Sequence, residues 1–387
     1  MNSPIDFDEL ISIRRHLHAH PELSNKEEKT ARFIEEKLAE FGIDDVRRVA
    51  ETGVVALVKG KEEGPVRAYR ADIDALPITE QNDCDYASRN PGVMHACGHD
   101  VHTTVGLGVA QQIHRRRGEL AGAVKFIFQP AEEASPEDEP VGAERMVREG
   151  VLANPEVESV FALHCMPSLP VGKIGHTGGP VWAGSELMEI DIEGKQAHGA
   201  YPHEGIDAVA VASQVVVSLQ QVVSRTIDAR QSCVVTVGRI EGGDSYNILA
   251  ERASLTGILR GLSEEAMDLA RKSIELIVTH VCRGFQARGR VRFTPGARPV
   301  INDVALEKKA VEIIADHLGP AAVTAHPPQL GAEDFSAFSR RVPGCYLFLG
   351  IRNEERGITH ALHTPRFDVD EECIGLGVRA MTEVLLG

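Results

Sequence analysis

Val124-Lys125-Phe126-Ile127-Phe128 is a short β-rich run that reads as buried, and it leads at once into Gln129-Pro130-Ala131-Glu132-Glu133. A strand ending in a proline and two adjacent acids presents carboxylates at its carboxyl end, where open α/β sheets bind their ligands. Outward from this run the grammar repeats. Residues 54–58, 66–69 and 160–163 read as further strands, separated by helical stretches such as 102–113 and 142–149. Upstream, Ile11, Leu17, Phe33, Ile34, Leu38 and Phe41 recur at helical spacing, broken at His20-Pro21 and closed by Gly42, so two helices open the chain. The alternation predicts an α/β fold, a mixed sheet flanked by helices.

In the middle the rhythm changes. A strand at 187–192, a helix at 208–223, strands at 233–240 and 254–259, a helix at 264–281 and a strand at 291–293 follow in the order βαββαβ. That is the ferredoxin-like α+β sandwich, self-contained at about this size. After Pro295 the alternation resumes, with helices at 306–318 and near 334–340, a strand at 345–349 and a closing helix at 374–386. At 387 residues the chain exceeds one comfortable core. The expectation is a catalytic domain of residues 1–178 and 292–387 with an inserted lid and dimerisation domain at 179–291.

Lys plus Arg number 41 against 57 Asp plus Glu, a formal charge of −16 that repels nucleic acid and anionic lipid, so neither is an expected partner. The first ten residues lack the basic start and apolar run of a leader, and the apolar patch 208–219 is too short and too interrupted to span a bilayer. A cytoplasmic location is expected. The seven cysteines are scattered and unpaired in pattern, which does not read as a disulfide scaffold.

The chemistry concentrates in His95-Ala96-Cys97-Gly98-His99-Asp100-Val101-His102, three histidines, a thiol and a carboxylate in eight residues. Core packing requires no such cluster. Cys97 and His99, two apart, share a face where the backbone is extended, which suits two ligands aimed at one metal. Two other readings stay open: a satisfied polar loop, and Cys97 as a nucleophile with a histidine base. Residues 160–163 lead into His164, another ligand type at a strand end. Adjacent acids such as Glu132-Glu133 are most often solvated surface. Beside metal ligands they divide into two roles, because consecutive side chains diverge: one binds metal, the other takes a proton.

These motifs, with Tyr69-Arg70-Ala71-Asp72-Ile73-Asp74-Ala75-Leu76-Pro77, Gly331-Ala332-Glu333-Asp334-Phe335 and the opening Ile13-Arg14-Arg15-His16-Leu17-His18-Ala19-His20-Pro21-Glu22-Leu23, cover nearly the whole chain. Together they resemble the amidohydrolase branch of the dinuclear metallo-aminoacylase and carboxypeptidase superfamily. Hippurate hydrolases, auxin-conjugate hydrolases and N-acetyldiaminopimelate deacetylases belong to it. The resemblance implies metal ligands at Cys97, His99, Glu133, His164 and His363, with Glu132 as general base and Asp72 orienting the site. His360 is the alternative to His363. Where peptidase branches have His-X-Asp, this chain has Arg70-Ala71-Asp72, and the Cys97 motif stands in for the missing histidine.

From the inserted domain the resemblance implies His198 and Asn247 at the scissile carbonyl, His198 acting from the same or a partner subunit. Ala197-His198-Gly199 departs from the Gly-Gly-His-Ala of many relatives. Arg260 is a candidate anchor for the substrate carboxylate, with a structural salt bridge as its alternative. The implied activity is hydrolysis of N-acyl amino acids with two divalent ions, zinc or manganese, with cobalt or nickel as further candidates. The alternatives are a metallo-exopeptidase of the same superfamily and a non-catalytic binding homologue. The apolar helix and strand edges of the inserted domain suit a homodimer or homotetramer.

Overall fold

The computed structural model describes residues 6–134 and 142–387, which form two compact units. Residues 1–5, part of the stretch read above for a leader, lie outside the described residues. One unit comprises the chain up to 179 with 301–327 and 334–387, and the other comprises 180–300 with 328–333.

The first unit is built on an eight-stranded mixed sheet. Its order is Val46–Val49, Gly53–Lys59, Ala121–Gln129, Glu62–Asp72, Ser159–Pro170, Gly344–Arg352, Ile174–His176 and Val323–Ala325. The four strands from Ala121–Gln129 to Gly344–Arg352 are mutually parallel. Ala121–Gln129 is buried from Ala123 onward, and Gly344–Arg352 is buried through Ile351, as strands covered on both faces must be. Lys125 is tolerated there because its Nζ donates to the carbonyls of Val151, Ala153 and Pro155 at 2.8–2.9 Å. Burial pulls that ammonium down to about 8.

Parallel pairing brings the carboxyl ends of strands to one edge. Asp72 is in register with Gln129, just before Glu132-Glu133, and His164 lies on the next strand, Ser159–Pro170. The helix His99–Arg115 packs against this sheet with every residue from His99 to Ile113 buried, and Glu372–Leu386 packs against the helix. No described helix is long and apolar enough to cross a membrane.

The second unit is a four-stranded antiparallel sheet in the order Cys233–Gly242, Arg252–Gly261, Gly184–Glu193, Arg288–Pro295, with helices Ala208–Gln221 and Glu264–Gly284 packed on it. In chain order this is 2-3-1-4, the split βαβ arrangement. Met188, Ile190 and Ile192 alternate inward along one strand and meet Val211, Val215, Leu219, Ile274 and Val278 of the helices. Asp207 and Ser263 cap the two helices by accepting from first-turn N–H groups. The unit continues past residue 291 to Val300, because Arg288–Pro295 pairs along its whole length with Gly184–Glu193.

Candidate metal centre

Gly98 makes the first step. The backbone between Cys97 and His99 is not extended, contrary to the spacing argument. His99 opens the helix His99–Arg115, and Gly98 before it takes a left-handed φ of 89°. A Cβ at this position would sit 2.8 Å from the Cβ of Cys165, so both conformation and space require glycine. The reversal folds Cys97 and His99 toward the same point.

Three further stretches converge there. Cys97 Sγ lies 3.5 Å from His164 Nε2 and 3.3 Å from His363 Nε2, which is 3.0 Å from Glu133 Oε1. Cys97, His99 and His164 form one group and Cys97, Glu133 and His363 another, each with its ligand atoms within 4.8 Å of one another. The thiol is common to both, so Cys97 would help to hold an ion in either group. Glu132 belongs to neither group with Cys97 and stands with its Oε2 3.9 Å from His99 Nε2. His363, itself exposed, reaches the centre from a left-handed turn, φ 59°, and belongs to a group with Cys97 and Glu133, as His360 does not.

Hydrogen bonds set the tautomers. His99 Nδ1 donates to Asp74 Oδ1 at 3.1 Å, and His164 Nδ1 donates to the Cys165 carbonyl at 2.8 Å, so in the neutral rings each Nε2 keeps its lone pair for a metal. The carboxylate on His99 Nδ1 is thus Asp74, while Asp72 lies on the side of His99 Nε2. Asp74 Oδ2 also accepts the Glu133 N–H at 2.9 Å. Asp72 is occupied by Arg70 Nη1 at 2.7 Å and His102 Nδ1 at 2.5 Å, with its Oδ2 3.6 Å from His99 Nε2. Burial opposes its charge, but Arg70, His99 and His102 hold it well below the usual carboxylate range. Sequence reasoning missed Asp74, although Asp72-Ile73-Asp74 places both acids on one face of an extended segment. His102 is unsuited to ligation, since its Nε2 accepts the Cys165 N–H at 2.8 Å. His95 is buried with both ring nitrogens lacking a hydrogen bond, and burial pulls it down to about 4.

The opening motif anchors this centre from behind. Arg14 Nε donates to Asp100 Oδ2 and His18 Nδ1 bonds the same oxygen, both at 2.8 Å, fixing the residue after His99. A buried carboxylate held by two such partners strongly resists displacement.

The electrostatics fit a cation. His99 Nε2 is buried without a hydrogen bond, and Glu133 Oε1 meets only the His363 ring at 3.0 Å and the Cys97 thiol. Burial disfavours charge on His99, yet Asp72, Asp74 and Glu133 outweigh it and push the imidazole up to about 10. Burial, then Glu133 and Glu132, push the Cys97 thiol well above its ordinary value. A thiol so disfavoured as a thiolate is a poor nucleophile by itself and needs a cation to ionise. Metal binding must displace the His99 proton, which is bound at all pH values below about 10. Apparent zinc affinity should accordingly rise with pH, by at least about tenfold per unit through the neutral range, in competition with a chelator at pH 6.5 and 7.5. A flat response would contradict this proton coupling.

In the second unit, Ala197–His198 pairs with Ile248–Leu249, and the Gly199 N–H donates to the Asn247 carbonyl at 2.8 Å, bringing the exposed His198 and Asn247 side by side. His198 Nδ1 accepts the Ala200 N–H at 3.0 Å, so the neutral ring carries its proton on Nε2 as a donor. Arg260 lies apart on the four-stranded sheet, opposite Ser185 and Val234. It is half-buried, burial lowers its pKa, and no described carboxylate pairs with it, so the salt-bridge alternative is not realised.

Residues 68–387 match the family described as Peptidase family M20/M25/M40. The chain belongs to peptidase family M20. It is 39% identical over 377 residues to an N-acetylcysteine deacetylase of Bacillus subtilis, covering 97% of this chain and 95% of that protein. It is 38% identical over 376 residues to the N-acetyldiaminopimelate deacetylase of the same organism, covering 97% of each. A crystal structure described as a dinuclear metal binding peptidase from M20 family, from Bacillus subtilis, superposes with a TM-score of 0.86 at 35% identity, covering 98% of this chain and 97% of that one. The protein is thus an M20 metal-dependent amidohydrolase, and its fold is the mixed α/β fold of that family.

Proposed function

We propose that this M20 enzyme hydrolyses the amide bond of N-acyl amino acids to a carboxylate and a free amino acid, with Glu132 as general base. The observation that carries the reading is the convergence of Cys97, His99, Glu133, His164 and His363 with Glu132 alongside but outside the two groups that share the thiol. Zinc or manganese fits the donors, since thiolate and imidazole favour softer ions while the carboxylates also suit manganese, with cobalt and nickel as further candidates. A bound divalent pair supplies Lewis acidity, acidifying water and polarising the scissile carbonyl. Glu132 takes a proton from the attacking water and delivers it to the leaving nitrogen, so the acyl–nitrogen bond breaks as the acyl–oxygen bond forms. His198 and Asn247 are assigned to the carbonyl oxygen, His198 through its Nε2–H. Arg260 is assigned to the substrate carboxylate, the ligand a half-buried, unpaired guanidinium binds best.

A panel of N-acetyl, N-benzoyl and N-indoleacetyl amino acids beside unblocked dipeptides, run on protein reconstituted separately with zinc, manganese, cobalt and nickel, tests the reading. Release of acid from the N-acyl substrates, with the dipeptides poor, is the expected result. Preferred cleavage of the dipeptides would instead identify an exopeptidase.

The second unit also suits self-association. Val209 and Val217 on its helix Ala208–Gln221 and Ile240 on the edge strand Cys233–Gly242 are exposed apolar residues. Light scattering at micromolar concentration should return a dimer or tetramer mass; a monomer mass would remove this proposal.

A further inference from the structure

Four non-glycine residues with left-handed backbone belong to turns gathered around one buried carboxyl. They are Asn25 (φ 62°), Ala50 (φ 53°), Glu51 (φ 63°) and Ala131 (φ 52°), and the carboxyl is that of Glu27. Glu27 Oε1 accepts the backbone N–H groups of Ala131 at 2.9 Å and Asn25 at 3.0 Å, while Oε2 accepts the Thr52 hydroxyl at 2.7 Å. The Thr52 N–H in turn donates to the Ala50 carbonyl at 2.8 Å, closing the third turn. Glu27 occupies the N-cap of the helix Glu28–Glu40 yet makes no side-chain cap bond to it. Its carboxyl is turned to Ala131 instead.

Ala131 immediately precedes Glu132-Glu133 and is wholly buried. An alanine is strained at positive φ, so something outside it must hold the turn. Nearby, Ser24 Oγ donates to Asp74 Oδ2 at 2.7 Å, the same oxygen that receives the Glu133 N–H. The segment 24–27 therefore grips 131–133 twice, once directly at Ala131 and once through Asp74.

We propose that Glu27 is a positioning residue for the carboxylate pair: it holds Ala131 left-handed, and that turn aims Glu132 and Glu133 in their separate directions. The proposal rests on the roles given to Glu132 and Glu133 above. Glu27 touches neither of them and acts only through the backbone. Burial and the charge of Asp74 push its carboxyl up to about 7, so glutamine closely mimics the uncharged form. The glutamine carbonyl can still accept both N–H groups. Aspartate keeps a carboxyl but withdraws the acceptor by one methylene.

The test compares Glu27→Gln, Glu27→Asp and Glu27→Asp with Ala131→Gly, reading kcat and KM on the best substrate of the panel and, separately, zinc affinity by competition with a chelator. Glu27→Asp should lose about tenfold or more in kcat with KM within about twofold, and should hold its weaker zinc less tightly. Glu27→Gln should match the wild type in both readouts. Adding Ala131→Gly to Glu27→Asp should recover part of the loss, because glycine takes positive φ without strain. Equal losses in Glu27→Gln and Glu27→Asp, or wild-type values in both, overturn the proposal; if the aspartate variant does not fold, Glu27→Ala takes its place, where a loss in kcat beside an unchanged Glu27→Gln supports the proposal and wild-type values overturn it. A wild type that binds two zinc ions but cleaves none of the panel fails the functional reading alone, leaving zinc affinity to judge Glu27.

Discussion

Glu132→Gln is expected to lower kcat by on the order of a hundred- to a thousandfold while both metal ions stay bound. Glutamine preserves the shape of the side chain and an oxygen that can orient water, but its amide does not take up a proton at neutral pH. The loss therefore isolates proton transfer from positioning. Metal retention follows from the role proposed for Glu132, which is in neither of the groups that share Cys97, although it also stands within reach of His99 and Glu133. Metal analysis beside steady-state kinetics separates the outcomes. Turnover near the wild-type rate would remove Glu132 from the reaction, and lost metal would move it from base to ligand.

Cys97→Ala should weaken both metal sites together, by about a hundredfold each. The size follows from a four-ligand zinc site binding with about 12 kcal/mol, or about 3 kcal/mol per ligand. The joint loss follows from Cys97 Sγ lying among the ligand atoms of both groups, 3.5 Å from His164 Nε2 and 3.3 Å from His363 Nε2. His164→Ala, by contrast, should weaken one ion chiefly, because His164 belongs with Cys97 and His99 but not with Glu133 and His363. Two-step zinc titrations of the two variants make the comparison. If Cys97→Ala weakened a single step only, the shared role of Cys97 would be wrong.

Much of the fold was legible because its long elements carry strong periodicity. Residues 208–223 and 264–281 gave helices, and the runs at 54–58 and 124–128 gave strands, since a continuous apolar run or a 3.6-residue repeat survives almost any packing. The strands Val46–Val49, Ile174–His176 and Val323–Ala325 were not legible. Three or four residues hold too little pattern, and these form only because the neighbouring strand offers hydrogen-bond partners. At the centre, the candidate ligand residues came from their chemical type and from the family resemblance. The division of labour between Asp72 and Asp74 did not, because it depends on which acid faces His99 Nδ1 and which faces Arg70 and His102.

By itself the sequence determined the fold class, the family and the residue types of the metal centre, all of which are written locally as periodicity and short motifs. Tertiary structure alone decided that Cys97 lies in two candidate groups, that Asp74 meets His99 Nδ1, and that Glu27, more than a hundred residues before Ala131, accepts the Ala131 N–H ahead of the carboxylate pair. These are facts of direction and contact between segments distant in the chain. A hydrogen bond depends on where two atoms meet in space, and sequence spacing carries that information only within a single turn or strand.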